Sequence, residues 1–238
     1  MLLQDQQHHG KSALAIELAK KIDGEIISAD SMQIYKDMDI GTAKVTKEEM
    51  QGIKHYMLDI VSPEDRYSVA DYKKEAEKKI EEILSKNKTP IIVGGTGLYI
   101  NSLIYGIEFK NEEFDEEYRN KLNDYAERNG LEELYKRAKE IDPEAMQKIS
   151  ENDRKRIIRV LEIYHKTGKT KTELDKESRA KDVKYDYKVF AINMDREILY
   201  NRINKRVDIM LEQGLIEETK KLIVKYNKFP TAMQGLRI

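Results

Sequence analysis

The stretch GEIISADSMQIY, residues 24–35, decides how this chain folds. A short run centred on two isoleucines predicts a buried strand over residues 25–28, which delivers one carboxylate, Asp30, into the following loop. Ligands of α/β folds bind outside the carboxyl ends of the strands, so Asp30 is well placed to act as a base. The alternative is that Asp30 caps the next segment, since Asp is a favoured N-cap residue. The local pattern leaves both roles open.

Two further segments carry the same kind of signal. Residues 90–100, PIIVGGTGLYI, predict a strand over 90–93 and a glycine-rich turn that opens a helix over 97–105. Such a turn exposes backbone N–H groups to an anion. Gly10, Lys11 and Ser12 open a helical segment, residues 11–22, and match the second half of a phosphate-binding P-loop. Three such segments in this order point to a phosphate-binding α/β protein.

The rest of the chain divides into an α/β part and a helical part. A helix is predicted over residues 69–85, because Ser68 and Asp71 are favourable residues at a helix start. From about residue 111 to 181 the periodicity is only helical, a strand pattern returns at 187–192, and helices follow over 196–212 and 215–226. Alternating strands and helices imply a parallel sheet with helices on both faces. We therefore predict an α/β core of residues 1–109 and 184–238, with an all-helical insertion over 110–183.

The insertion combines an apolar stripe with a basic segment. Its predicted apolar positions are Leu122, Leu131, Leu134, Ala138, Ile157, Val160, Leu161 and Tyr164. Between residues 151 and 180, nine basic residues against six acidic ones leave a net charge of +3. Three of the basic side chains, Lys155, Arg156 and Arg159, lie within five residues of one another and form one basic cluster. The residues alone leave two readings of this cluster, a solvated helix surface or a contact with RNA phosphates.

Composition excludes several classes of protein. The chain has 238 residues and no cysteine, so disulfide bonds are excluded. Its net charge of −1 argues against a protein that binds nucleic acid over its whole surface. No apolar run approaches the roughly 20 residues that span a bilayer, and no secretory pattern is present. We expect a cytoplasmic monomer that makes no membrane contact.

The combination of motifs closely resembles the tRNA dimethylallyltransferases, also called tRNA isopentenyltransferases. The resemblance rests on GKSALAIELAKKIDGEIISADSMQIYKDMDIGTAK, HYMLDIVSPEDRYSVADY, PIIVGGTGLYI, ENDRKRIIRVLEIYHKTGKT and PTAMQ, and it covers roughly residues 10–234. It implies a P-loop NTPase-like parallel sheet flanked by helices. It also implies transfer of a dimethylallyl group from dimethylallyl diphosphate to N6 of the adenosine next to the anticodon, with Mg²⁺ and the tRNA anticodon stem-loop as partners.

The resemblance also implies roles for individual residues. Asp30 resembles the general base of the family and Thr96 its pocket threonine. Lys11, Gly10 and Ser12, with Mg²⁺ held partly by Ser12, would bind the diphosphate, and Arg206 is a further candidate. The residues that resemble tRNA contacts are Asp30, Ser31, Met32, Gln33, Thr96, Arg119, Lys155, Arg156, Ile157, Ile158 and Arg159. For Arg119 and Arg206, an ion pair within a helix is the alternative.

Both ends of the sequence depart from the family pattern. Asp5 stands where the P-loop begins with glycine, and the run Gln6 to His9 replaces small residues. A carboxylate about 4 Å from the diphosphate, at an effective dielectric constant of 20, costs about 4 kcal/mol, so we expect weak diphosphate binding and low activity. The sequence ends shortly after PTAMQ, and we expect the C-terminal tRNA-contacting helices of the family to be absent.

Two other functions remain open on these residues. A small-molecule or nucleotide kinase, an ATP-binding protein of the same fold, would also use Lys11 and Ser12, with Asp30 as the base. A non-catalytic tRNA-binding remnant would account for the altered P-loop.

Overall fold

The computed structural model describes the backbone of residues 2–5 and all of residues 11–109, 115–179, 183–226, 230 and 232–233. The chain divides into two compact units, Met1–Tyr105 with Val183–Ile238, and Gly106–Asp182, called the α/β unit and the insert below. Among the described residues, no helix is both long and apolar enough to cross a lipid bilayer.

The α/β unit alternates strands and helices along the chain. Its elements are β1 (Leu2–Asp5), α1 (Lys11–Lys21), β2 (Gly24–Ser28), β3 (His55–Tyr56), α2 (Val69–Ser85), β4 (Thr89–Gly94), α3 (Gly97–Ile104), β5 (Val189–Ile192), α9 (Arg196–Glu212) and α10 (Leu215–Lys225). The strands form one five-stranded sheet in the order β3-β2-β4-β1-β5. Every described pair is parallel. The predicted parallel α/β fold is therefore confirmed, while the two-residue strand β3 was not predicted.

Helices cover both faces of this sheet. Ile26 and Ile91 pack with α1 in one buried cluster, whereas their neighbours Ile27 and Ile92 pack with α2 and α3 in another. Because successive strand residues point to opposite faces, two adjacent isoleucines supply both halves of the core. A run without polar alternation is typical of a parallel strand buried on both sides. This burial explains why the strands at 24–28 and 89–94 were recognisable in the sequence.

The start of α2 shows how local sequence sets an element boundary. The Ser68 side chain accepts a hydrogen bond from the Asp71 backbone N–H, and the Asp71 side chain accepts one from the Ser68 backbone N–H. This reciprocal pair is a capping box, which satisfies two donors that a helix start leaves unpaired. The boundary predicted from Ser68 and Asp71 is confirmed.

Helices are the regular elements of the insert in the part of the chain that the structure describes. Over residues 115–179 it contains α4 (Glu116–Asn129), α5 (Glu132–Ile141), α6 (Pro143–Met146), α7 (Arg154–Thr167) and α8 (Lys171–Ser178). Its core contains Leu122, Leu134, Ala138, Met146, Ile157, Ile158, Val160 and Leu161. The prediction that Tyr164 joins this core is wrong, because its side chain is 43% exposed on α7.

Candidate active site

Two loops meet at the carboxyl ends of the neighbouring strands β2 and β4. The Ala29 N–H donates to the Val93 carbonyl at 2.7 Å, and the Thr96 N–H donates to the Ala29 carbonyl at 3.1 Å. The Thr96 hydroxyl accepts a hydrogen bond from the Ser31 N–H at 2.9 Å and donates one to the Ser31 hydroxyl at 3.2 Å. Thr96 is the N-cap residue of α3, yet its side chain makes no capping bond. The side chain instead joins the two loops.

Gly94 lets the two loops approach this closely. A Cβ atom at position 94 would lie 2.1 Å from the Ala29 carbonyl oxygen and 2.3 Å from the Ala29 carbonyl carbon. Both distances are far below van der Waals contact, and both contacts are with backbone that has no rotamer to change. Glycine is therefore required at position 94, because any side chain there would collide with the backbone of Ala29.

Asp30 lies half-buried in the first loop and is oriented by the backbone. Its Oδ1 atom accepts hydrogen bonds from the Met32 N–H at 2.8 Å and the Gln33 N–H at 3.3 Å. Among the described residues, no donor is found for Oδ2. One oxygen of Asp30 thus has the capping role that the sequence left open.

The predicted phosphate and base residues line one cavity of the α/β unit. This cavity has a volume of about 590 Å³, and its walls include Lys11, Ser12, Asp30, Gln33 and Arg206. These five residues come from the start of α1, the loop after β2 and the middle of α9. Gly10 lies outside the described residues. Neither Thr96 nor Ser31, to which the Thr96 hydroxyl is hydrogen-bonded, is among the described residues of the wall.

Charge in the cavity is balanced between cations and carboxylates. Lys11 is only 7% exposed. Arg206 is about half-buried, and burial lowers the pKa of its guanidinium while the carboxylates of Asp30 and Glu49 raise it. An arginine side chain nevertheless stays charged at neutral pH. The described wall of the cavity thus combines three cationic side chains with three carboxylates, so it offers both partners for an anion and acceptors for a proton; these are Lys11, Lys44 and Arg206, and Asp30, Asp39 and Glu49.

The segment of residues 39–44 contributes another wall of the cavity and is hydrogen-bonded to the Asp30 loop. The Gln33 side-chain amide donates to the carbonyls of Thr42 and Ala43, both at 3.2 Å. The Lys44 side chain is almost fully buried and donates to Asp39 Oδ1 at 2.7 Å and the Tyr35 carbonyl at 2.8 Å. Gln33 was predicted from the resemblance to touch tRNA. Its side chain is used here to join two segments of the cavity wall.

In the insert, a buried acid brings two of the predicted arginines together. Glu162 is 3% exposed, and its Oε2 atom accepts from Arg119 at 2.6 Å and from Arg159 at 3.1 Å. The ion pair foreseen for Arg119 therefore exists, but it joins α4 to α7 and does not lie within one helix. Sequence reasoning missed Glu162, because an acid within a basic helix gives no sign that it is buried.

The α7 basic cluster of Lys155, Arg156 and Arg159 is exposed, but the two isoleucines within it are not. All three basic side chains face solvent, and Arg156 pairs with Asp153 at 3.2 Å. Ile157 and Ile158 are 0% and 3% exposed in the insert core. The expectation that these two side chains contact tRNA is corrected on this ground, because a buried apolar side chain cannot reach a phosphate.

The described residues contain no group of three or more His, Asp or Glu side chains arranged to hold a metal ion. The hydroxyl of Ser12 on the cavity wall is an oxygen ligand of the kind that Mg²⁺ accepts.

A P-loop NTPase-like α/β fold with lysine and arginine side chains on a cavity at the carboxyl ends of its strands is typical of phosphate-binding proteins. The family model described as IPP transferase matches residues 33–238. The chain is 55% identical over 228 residues to a tRNA dimethylallyltransferase of Acetivibrio thermocellus, covering 95% of this chain and 73% of the relative. It is 51% identical to one of Caldanaerobacter subterraneus, with the same coverage. The chain belongs to the IPP transferase family of tRNA dimethylallyltransferases.

Solved structures agree with this assignment. The full-length tRNA isopentenylpyrophosphate transferase of Bacillus halodurans matches with a TM-score of 0.64 and 38% identity, over 98% of this chain and 73% of that one. A eukaryotic dimethylallyltransferase described as acting on tRNA matches with a TM-score of 0.75 and 34% identity, over 95% of this chain and 56% of that one.

Proposed function

We propose that this chain transfers a dimethylallyl group from dimethylallyl diphosphate to N6 of the adenosine next to the anticodon of tRNA, acting as a monomer. The observation that carries the proposal is the meeting of Lys11, Arg206 and Asp30 on one cavity in a member of the IPP transferase family. A cation pair suits the diphosphate, and a carboxylate suits the proton that the reaction releases.

The reaction breaks two bonds and makes two, the bond from N6 to carbon C1 and the bond from the released proton to a base. The N6 amine attacks the C1 carbon of the dimethylallyl group, and the C–O bond to the diphosphate breaks with its electron pair leaving on oxygen. The N6–H bond then gives its proton to a base. The adenine amine is a poor nucleophile because its lone pair is delocalised into the ring, so removal of this proton helps the transfer.

Asp30 is the proposed base, and the structure supports that role through its orientation. Two backbone N–H groups hold Oδ1, so Oδ2 is the oxygen that would accept the proton. A carboxylate is a weak base, and positioning must supply much of its effect. The Thr96–Ser31 contact supports that positioning, because it fixes the loop that carries Asp30 against the loop after β4.

The diphosphate would be held by side chains from α1 and α9. Lys11 and Arg206 would neutralise the charge that develops on the leaving oxygen, and a cation fixed in place before the reaction stabilises such charge most effectively. The Ser12 hydroxyl would hold Mg²⁺ together with diphosphate oxygens. When bound, the ion would supply further neutralisation of the leaving group.

The insert would bind tRNA through the phosphate backbone. The α7 basic cluster is exposed, and the pair Arg119 and Arg159 is fixed by the buried Glu162. Arginines held in a defined geometry lose less side-chain entropy when they bind a phosphate. We therefore propose this surface of the insert as a tRNA contact.

Asp5 lowers the activity that we expect from this chain. It is the last residue of β1, directly before the segment where a P-loop would surround the diphosphate. A repulsion of about 4 kcal/mol corresponds to roughly a thousandfold loss of affinity. A tRNA-binding protein with little turnover is the second candidate function, favoured by this one residue.

Incubating the chain with tRNA and labelled dimethylallyl diphosphate tests the proposal. Label in tRNA supports transfer, whereas retention of tRNA without label supports the second candidate. Phosphate transfer from labelled ATP to a small molecule would indicate a kinase instead.

The variant Asp30→Ala tests the base. Because correctly placed general bases contribute about 10²–10⁴-fold, we expect transfer to fall by at least a hundredfold while tRNA binding changes little. Near-normal turnover by this variant would show that Asp30 is not the base.

A further inference from the structure

We infer that Glu218 on α10 is a positioning residue for Asp30, acting through the segment of residues 39–44. The inference rests on the proposed function. Glu218 Oε2 accepts hydrogen bonds from the Asp39 N–H at 3.0 Å and the Ile40 N–H at 2.8 Å, and Oε1 accepts from the Gly41 N–H at 2.9 Å. One carboxylate thus binds three consecutive backbone N–H groups.

The Glu218 carboxylate holds the backbone of residues 39–41 in place through strong hydrogen bonds. Hydrogen bonds to a charged acceptor are stronger than neutral ones, and both oxygens of Glu218 are used. The three N–H groups belong to a segment without helix or strand, so no regular partner holds them otherwise. Asp39 and Ile40 line the cavity, and Glu218 therefore sets the position of that wall.

The effect of Glu218 reaches Asp30 through two further hydrogen-bonded links. The carbonyls of Thr42 and Ala43, directly after the bound segment, accept from the Gln33 side-chain amide. The Gln33 backbone N–H in turn donates to Asp30 Oδ1 at 3.3 Å. A shift of residues 39–41 would therefore release Gln33 and loosen the carboxylate that is proposed as the base.

Helix α10 has its own anchor, so the role of Glu218 can be separated from docking of the helix. Leu222 and Tyr226 pack in a buried cluster with Ile34, Tyr35 and Met38. Asp37 also accepts hydrogen bonds from Lys225 at 2.6 Å and the Tyr226 hydroxyl at 2.7 Å. These contacts remain when Glu218 is changed, and α10 stays in place.

Glu218→Gln is the test variant, because glutamine keeps the shape but points an NH₂ group at a backbone N–H. Glu217→Gln is the matched control, since Glu217 is exposed on the same helix and has no described bond to the loop. Amide hydrogen exchange followed by NMR should show at least tenfold faster exchange at residues 39–41 and faster exchange at Gln33 in Glu218→Gln. The control should match the parent chain.

Kinetics supply the second readout. We expect Glu218→Gln to lower kcat about tenfold while the KM for tRNA stays within about twofold, because a small misplacement of a catalytic group lowers the rate of the chemical step. Three results for Glu218→Gln would each overturn the inference: unchanged hydrogen exchange at residues 39–41, faster exchange throughout the α/β unit, or a normal kcat. If the parent chain shows no turnover, the proposed function fails, and exchange at Gln33 alone decides the role of Glu218.

Discussion

Replacing Gly94 by alanine should damage the site through backbone packing alone. The added Cβ atom would lie 2.1 Å from the Ala29 carbonyl oxygen, so the loops after β2 and β4 must separate. Overpacking costs about 1–3 kcal/mol, and each of the two backbone hydrogen bonds at Ala29 contributes about 0.5–1.5 kcal/mol. We expect a loss of about 4 kcal/mol in the free energy of unfolding, which corresponds to a fall in Tm of roughly 8–16 °C for a chain of this size.

Gly97→Ala is the matched control for this experiment. Gly97 is the first residue of α3, and a Cβ atom there would meet nothing within 4 Å. Alanine is a better helix former than glycine, so this variant should be unchanged or more stable by up to about 1 kcal/mol. Thermal unfolding followed by circular dichroism compares the two. A melting temperature for Gly94→Ala close to that of the parent chain would refute the packing argument.

Three further predictions concern tRNA binding, acid stability and the phosphate loop. Replacing Lys155, Arg156 and Arg159 of the α7 basic cluster by alanine should weaken tRNA binding and lower the slope of log affinity against log salt concentration by about 2–3. An unchanged slope would show that these side chains are only a solvated surface. Hydrogen bonds from Lys79, Lys86 and Tyr56 lower the pKa of Glu82 to about 2, so its stabilising effect is present above its unfolded pKa near 4.5 and is lost as the pH falls towards 2. The Tm of Glu82→Gln should accordingly lie below that of the parent chain at pH 6 and converge with it near pH 2, whereas a constant difference would contradict the pKa shift. Asp5→Gly, combined with small residues at positions 6–9, should tighten binding of Mg²⁺–diphosphate in calorimetric titration, and tight binding by the unaltered chain would show that Asp5 does not repel the ligand.

Strands that are several residues long and buried on both faces of the sheet were predicted well from the sequence. The strands at 25–28 and 90–93 are observed at Gly24–Ser28 and Thr89–Gly94, because a strand covered on both faces leaves a continuous apolar run. Strand β3 has two residues, His55 and Tyr56, which is too short for any periodicity to be visible. Tyr164 was misassigned because a tyrosine on a helix is compatible with both the core and the surface.

The candidate site was predictable in its parts but not in its connections. Residue types and resemblance identified Lys11, Asp30 and Arg206, and the structure brings these three to one cavity. Glu218 could not be found in this way, because it lies 177–179 residues from the backbone groups that it binds. A surface helix rich in acids and lysines gives no sign that one of its carboxylates binds a loop.

The pairing of β1 with β5 has a consequence for the order in which the chain folds. Leu2 is aligned with Val189, so this edge of the sheet joins segments at opposite ends of the sequence. The insert, by contrast, is one continuous stretch of sequence, Gly106–Asp182, so its contacts join residues that are closer along the chain, and such contacts form faster. During synthesis the insert can therefore be complete before β5 leaves the ribosome, and until then one edge of β1 is exposed. The chain is most vulnerable to aggregation in that interval.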